Sequence, residues 1–372
     1  MADDVALVAL AESVADDNLV AEAYYRQGYY LGVSGQYSQE LEAYNRGLAA
    51  AARAHDHRRE ALILGLKVVC EVRLGDLKAA AQTSAAALTC AEEVADDQVL
   101  ARSLNNISAF YTETGDMARA AQLLDQQIAI NRRTGNIEGE VIGLCNLGYT
   151  YVLLGMPEEG ISALRRCIDM AQVISHRSFR AYGVLNLALA HLRCGDPPSA
   201  LADLDQCLPE LQAMNDMFGH ATGQIYAALA MEQGGQVNEA LTGFEQAAVT
   251  LGEIGTLGKV QDAEAGVARC LLAMNNPEAA QRYAAPLWDY LQQQVGAGME
   301  FPLLGYETCA NVFAAAGQAS LARRVIEAGY CELMVRAGRI SLPEWRRSFL
   351  ERIPEHRRIQ ARWQENNETS QE

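Results

Sequence analysis

The chain has 372 residues, half of them hydrophobic and only 7% aromatic, with 47 acidic residues against 30 basic and a formal charge of −17. A field of that sign opposes the clustered phosphate contacts that nucleic acid requires, so a nucleic-acid partner is not expected. No run of about eighteen apolar residues offers a membrane span, and Asp3, Asp4 and Glu12 place negative charge where a signal peptide needs a basic leader; a cytoplasmic protein is expected.

In chain order, residues 1–14 (MADDVALVALAESV) have helical composition and lead to Asp16. From there one unit recurs. Gly35, Gly75, Gly115, Gly155, Gly195 and Gly235 lie forty residues apart, Asn275 takes the seventh place and Gly317 the eighth, forty-two residues further on. Seven residues before each of the first seven turns stand Gly28, Val68, Ser108, Gly148, Ala188, Ala228 and Ala268. Five residues after them stand Glu40, Ala80, Ala120, Gly160, Ala200, Ala240 and Ala280. Small residues at two fixed places are what close helix contact needs. The other break of each unit carries Asp16, Asp56, Asp96, Asn136, His176, Asp216 and Thr256, most of which suit a helix N-cap. The unit is therefore a helix, a tight turn at a residue tolerant of left-handed backbone, and a second helix. Alternation of period two is missing, so no sheet is expected.

In Ser103 to Ala120 (SLNNISAFYTETGDMARA) and Leu144 to Gly160 (LCNLGYTYVLLGMPEEG), leucine, small residue, aromatic, turn glycine and small residue follow one another at fixed spacing. This resembles the tetratricopeptide repeat, commonly 34 residues long. The longer form is similar to Pins-type polarity adaptors and to the sensor regions of large bacterial signalling ATPases, cyclases and regulators. The resemblance implies an all-α, right-handed α-solenoid of about eight helix pairs with a terminal capping helix. It covers roughly residues 1–335 and does not identify a partner, because the repeat hosts unrelated tasks.

The expected organisation has residues 1–15 as the second helix of an incomplete or capping repeat, 16–335 as the solenoid, 336–363 as capping helices and 364–372 (QENNETSQE) as a disordered polar tail. The first helix that would pair with residues 1–14 is missing. Either this helix is a native cap, or the chain was cut from a longer protein; in both cases a seam is left open to self-association. Pro286 and Pro302 interrupt the eighth unit, with a loop at the Gly296–Gly298 pair. In the tail SLPEWRRSFLERIPEHRRIQARW, Ser341 suits a cap, Trp345, Phe349 and Leu350 form one apolar face, and Pro354 ends the helix. Its arginines (346, 347, 352, 357, 358 and 362) alternate with Glu344, Glu351 and Glu355, as in a salt-bridged helix. The tail is similar to the closing segment of repeat regions in bacterial signalling proteins.

No constellation for catalysis, metal or cofactor is present in the sequence. GxxxxGK[ST], HExxH and GxSxG are absent, and no motif activates Cys145 or Cys194. Nine cysteines without a CxxC pair argue against a disulfide or zinc framework; Cys167 and Cys207 share a column where a small core residue is expected. His55 and His57 flank Asp56, as a weak metal site or as solvated loop residues.

One polar column remains: Asn106, Asn146 and Asn186, at the same place in three successive first helices. Asparagine is mildly disfavoured in a helix interior. The family resemblance places this position on the concave face, where an amide both donates to and accepts from a peptide backbone. Arg102 lies one turn before Asn106 on the same face, like half of the family's carboxylate clamp; Ile142 and Tyr182 take its place in the next two units. Tyr25, Tyr29, Tyr149, Tyr182, Leu189, Arg193 and Tyr226 would share that face. The alternative is an amide ladder that joins neighbouring helices. The expected function is a non-catalytic scaffold binding a protein or extended peptide, as the C-terminal sensor or adaptor region of a larger bacterial signalling protein. The alternative is a domain sensing a small effector or signalling peptide inside the superhelix.

Overall fold

The computed structural model describes residues 2–368, and among them are nineteen α-helices and no strand. After α1 (Ala2–Val14) come eight helix pairs: α2 (Asp17–Val33) with α3 (Tyr37–Ala54), α4 (His57–Arg73) with α5 (Leu77–Val94), α6 (Asp97–Glu113) with α7 (Met117–Thr134), and α8 (Ile137–Leu153) with α9 (Pro157–Val173). They continue with α10 (Arg177–Arg193) and α11 (Pro197–Ala213), α12 (Met217–Gln233) and α13 (Val237–Glu253), α14 (Leu257–Ala273) and α15 (Pro277–Gln294), α16 (Pro302–Ala315) and α17 (Ala319–Arg339). Two helices close the chain, α18 (Pro343–Glu351) and α19 (Pro354–Glu368).

The turn at each glycine is left-handed, with φ between 72° and 81° at Gly35, Gly75, Gly115, Gly155, Gly195, Gly235 and Gly317, and 58° at Asn275. The amide after the glycine closes the turn, as Gln36 N–H does on Leu31 C=O at 2.9 Å. That bond satisfies a carbonyl otherwise left over at the helix end. At the opposite break the side chains of Asp16, Asp56, Asp96, Asn136, His176 and Asp216 accept from backbone N–H groups of the following helix. Thr256 departs from the expected pattern. Its hydroxyl donates back to Leu251 C=O, leaving α14 without a side-chain cap.

The small column before each turn is dictated by what stands nine residues after it. Tyr44, Leu164 and Phe244 are fully buried there. A Cβ on Gly28 would enter the ring of Tyr44 and one on Gly148 the side chain of Leu164; Gly266 of α14, outside this column, meets the ring of Phe244 from the preceding pair in the same way. Ala188, Ala228 and Ala268 are likewise fully buried. Interiors packed at crystal density have no slack for an added methylene, so these columns lock the two helices of each pair at one distance.

The contacts divide the chain into two compact units, residues 1–114 with 119–147, and residues 115–118 with 148–372. In unit 1, Val8 and Ala11 of α1 pack against α2, while Leu7, Leu10 and Val14 are 36%, 62% and 59% exposed. In unit 2 three expectations are corrected. Pro286 lies inside α15 rather than ending it, held between the buried Ala284 and Leu287. The cap of α18 is Leu342, not Ser341, because Pro343 takes the first helical position. The capping region starts after Arg339 rather than at 336, and α19 runs through Glu368 into the stretch expected to be disordered. The helix is fixed one turn earlier, where Trp363 stacks on Tyr330 at 3.9 Å and Arg362 donates to Asn311. Residues 369–372 of that tail lie outside the described residues.

Glu40 stands in a column that is otherwise alanine or glycine, and it is buried. Burial pushes its carboxyl above the ordinary carboxylate range, against the pull of Arg73. A raised folded-state pKa means that its contribution is fullest below the unfolded value and is lost as pH rises. Glu40→Gln is therefore expected to raise stability at pH 7 by about 1 kcal/mol, with the gain shrinking towards pH 4 in thermal unfolding.

Candidate functional site

The first helices of unit 1 carry Tyr25, Tyr29, Arg102, Asn106 and Asn146. Tyr29 is 52% exposed, with its ring edge-on to Tyr30. The ring of Tyr25 receives the Arg59 guanidinium at 5.0 Å, and Arg59 pairs with Glu22. Arg102 is exposed one helical turn before the half-buried Asn106. Asn146 Nδ2 donates to Asn105 Oδ1 at 2.8 Å, and Asn105 Nδ2 donates to Asn106 Oδ1 at 3.3 Å. An amide ladder thus joins α6 to α8 through Asn105, a residue outside the forty-residue column. The amide-ladder alternative for the asparagines accounts for these two bonds, and Asn106 Nδ2 stands beside Gly65 of α4, 3.2 Å from where a Cβ there would lie. Asn186, half-buried on α10, belongs to unit 2.

In unit 2 the expected face meets other parts of its own chain. Tyr182 donates to Asp216 Oδ2, the carboxylate that caps α12, at 2.7 Å. Arg193 donates twice to Glu355 of α19, at 2.8 and 3.0 Å, and its guanidinium lies 5.1 Å from the Phe301 ring centre. Tyr149 donates to Glu300 Oε1 at 2.7 Å. Glu300 belongs to the connection 295–301 between α15 and α16, and its side chain is almost wholly buried. Tyr226 donates to the same oxygen at 2.5 Å and Lys259 Nζ to Oε2 at 2.5 Å. Asp262 of α14 accepts the backbone N–H groups of Glu300 (2.6 Å) and Phe301 (3.0 Å). Glu300, Asp262, Lys259 and Asn105 escaped the sequence reading. The visible signal was the bracketing of Glu300 and Phe301 by Gly298 and Pro302.

The electrostatics follow from burial and pairing. Burial pushes Asp262 up to about 7, against Lys259 and the two amides. Burial also opposes ionisation of Glu355, but Arg193 and His356 overcome it and hold the carboxyl at about 2. Burial lowers His356 to about 4, and its Nδ1–H donates to Phe349 C=O at 2.7 Å. The arginines of the closing helices pair with other elements instead of the interleaved glutamates: Arg352 with Glu158 and Arg358 with Glu307. Cys167 and Cys207 are buried beside core leucines. The donors on these faces, hydroxyls, amides and cations, suit the holding of carboxylates and peptide backbone.

Helix pairs stacked in this way define an α-solenoid. Residues 143–173 match the tetratricopeptide repeat model. The same pair recurs on either side, and the chain is a tetratricopeptide-repeat protein. No curated protein matches it in sequence. Among solved structures it is similar to a Rap protein complexed with competence and sporulation factor, at 11% identity over 93% of this chain and 98% of that one, with a TM-score of 0.63. It is also similar to NprR in complex with its cognate peptide NprX, at 11% identity over 91% and 98%, TM-score 0.60. A third similar structure is a signal transduction ATPase with numerous domains and a tetratricopeptide repeat sensor from Pyrococcus horikoshii, at 16% identity and TM-score 0.53. There the match covers 91% of this chain but 50% of the other. Identities this low establish the fold.

Two outcomes test the assignments of the paired residues. Arg193→Met leaves Glu355 buried without its cation and is expected to lower stability by about 3–5 kcal/mol at pH 7. Because the folded-state pKa of Glu355 is depressed, the difference should close as pH falls from the ordinary carboxylate range through about 2. In a double-mutant cycle of Asn105→Ala and Asn146→Ala, the amide ladder predicts a stabilising coupling of about 1 kcal/mol; additive effects would remove it.

Proposed function

We propose that this protein is a non-catalytic scaffold that binds an extended peptide or protein segment on the first-helix face of unit 1. The observation that carries the reading is the exposed Arg102 set one turn before the Asn106 amide, with the exposed Tyr29 on the same series of helices. An arginine and an amide at that spacing hold a carboxylate or a main chain, and a tyrosine adds flat apolar area beside them. The corresponding residues in unit 2 already face Glu300, Asp216 and Glu355. The solved Rap and NprR structures of the same fold were obtained with a factor or peptide bound, which supports this choice of ligand. The tetratricopeptide repeat sensor named in the Pyrococcus horikoshii signal transduction ATPase supports a sensor role within a larger signalling protein.

A second reading, a sensor for a small effector, rests on a different feature. Between α5, α6 and α7 lies an open groove of about 490 Å³, floored by Leu88, Leu100, Leu104, Leu123 and Ile130 with Arg119 at its edge. That volume falls within the range of small-molecule sites.

Selection of binders from a random peptide library against the full chain separates the readings. Scaffold binding predicts that Arg102→Ala or Asn106→Ala each weakens the selected peptides about tenfold or more, the loss of roughly one charge-assisted or buried hydrogen bond, with the melting temperature unchanged in Arg102→Ala. Peptides insensitive to both substitutions would refute the placement. Stabilisation by small amphiphiles, abolished by Leu123→Arg, would favour the effector instead.

A further inference from the structure

We infer that the segment 295–301 occupies, in cis, a recognition site for an acidic–aromatic peptide, and that a partner carrying Glu followed by Phe binds unit 2 by displacing it. This is independent of the unit 1 surface. The carboxylate of Glu300 collects three donors from three separate first helices: Tyr149 of α8, Tyr226 of α12 and Lys259 of α14. Joining α15 to α16 does not require such convergence, since the break at Gly255 and Thr256 makes the equivalent step, from α13 to α14, within a few residues. Asp262 grips two successive backbone N–H groups, which is how a receptor holds main chain irrespective of side chain. Phe301 fills the adjoining slot, buried between the Arg193 guanidinium at 5.1 Å and the Tyr226 ring at 6.4 Å. Charge, main chain and aromatic side chain each have a separate, directional partner.

The occupant lies against its site through close backbone contact. Gly296 and Gly298 both hold left-handed backbone, at φ 73°. Gly298 crosses Gly258 so closely that a Cβ on Gly258 would collide with it. Withdrawal of the segment would uncover Lys259 beside two hydroxyls, a cationic spot in a chain of net charge −17. A peptide bearing its own carboxylate and ring restores every bond that the segment gives up.

The test uses the full chain and a fluorescent peptide of residues 297–304 (AGMEFPLL). Glu300→Ala is expected to bind this peptide at least tenfold more tightly than the parent. Adding Lys259→Met, or replacing Glu by Gln in the peptide, should remove the gain, and Arg102→Ala should leave it intact. Loss with Arg102→Ala would place the peptide on unit 1 and overturn the proposal. Failure to bind a Glu300→Ala chain whose circular dichroism matches the parent would reduce the segment to a lock between helix pairs. The parent provides a readout that does not depend on any variant. Millimolar peptide should accelerate amide exchange across residues 295–301, and unchanged exchange would contradict displacement.

Discussion

Everything in this molecule depends on the close approach of two helices at paired small positions, repeated every forty residues. A large side chain on the second helix, such as Tyr44 or Leu164, has room only because Gly28 or Gly148 faces it. The left-handed turn that follows sets the angle at which the next helix returns. The side chains directed away from this contact are relieved of packing duty. They form the first-helix face on which both the amide ladder of unit 1 and the carboxylate cluster of unit 2 are built.

That division explains how a strongly acidic chain buries several carboxylates. Glu300, Glu307 and Glu355 are each met by a cation on another element, Lys259, Arg358 and Arg193 respectively. Removing a charge from water is costly unless its partner and its remaining lone pairs are supplied. Glu300 has both, through one ammonium and two tyrosine hydroxyls. Asp262 relies on two backbone amides as well as Lys259, which is why burial moves its pKa to about 7 while Glu355 stays ionised. At Glu40 the pull of Arg73 does not offset burial. Its place in the alanine column is the clearest conflict between local packing and chemistry in unit 1.

The parts legible in the sequence are those governed by local rules at fixed spacing. Turn glycines and capping aspartates act within a few residues of themselves, so Gly35 or Asp96 announces its role without knowledge of the fold. Trp363 anchoring α19 and Leu342 displacing Ser341 depend on neighbours that spacing does not reveal. The candidate site divides in the same way. The family resemblance puts Tyr149, Tyr182 and Arg193 on the first-helix face. Their partners Glu300, Asp216 and Glu355 lie 151, 34 and 162 residues away. Asn105 was missed because it stands beside the repeating column instead of in it.

The two units therefore differ in what their first helices leave exposed. Unit 1 displays exposed donors, and unit 2 fills its donors from its own chain. Amide hydrogen exchange of the full protein, with and without a peptide selected for tight binding, tests this contrast most directly. The account predicts new protection in α2, α4 and α6, around Tyr29 and Asn106, with α3 and α5 unchanged. Protection confined to those second helices, or absent throughout unit 1, would contradict it.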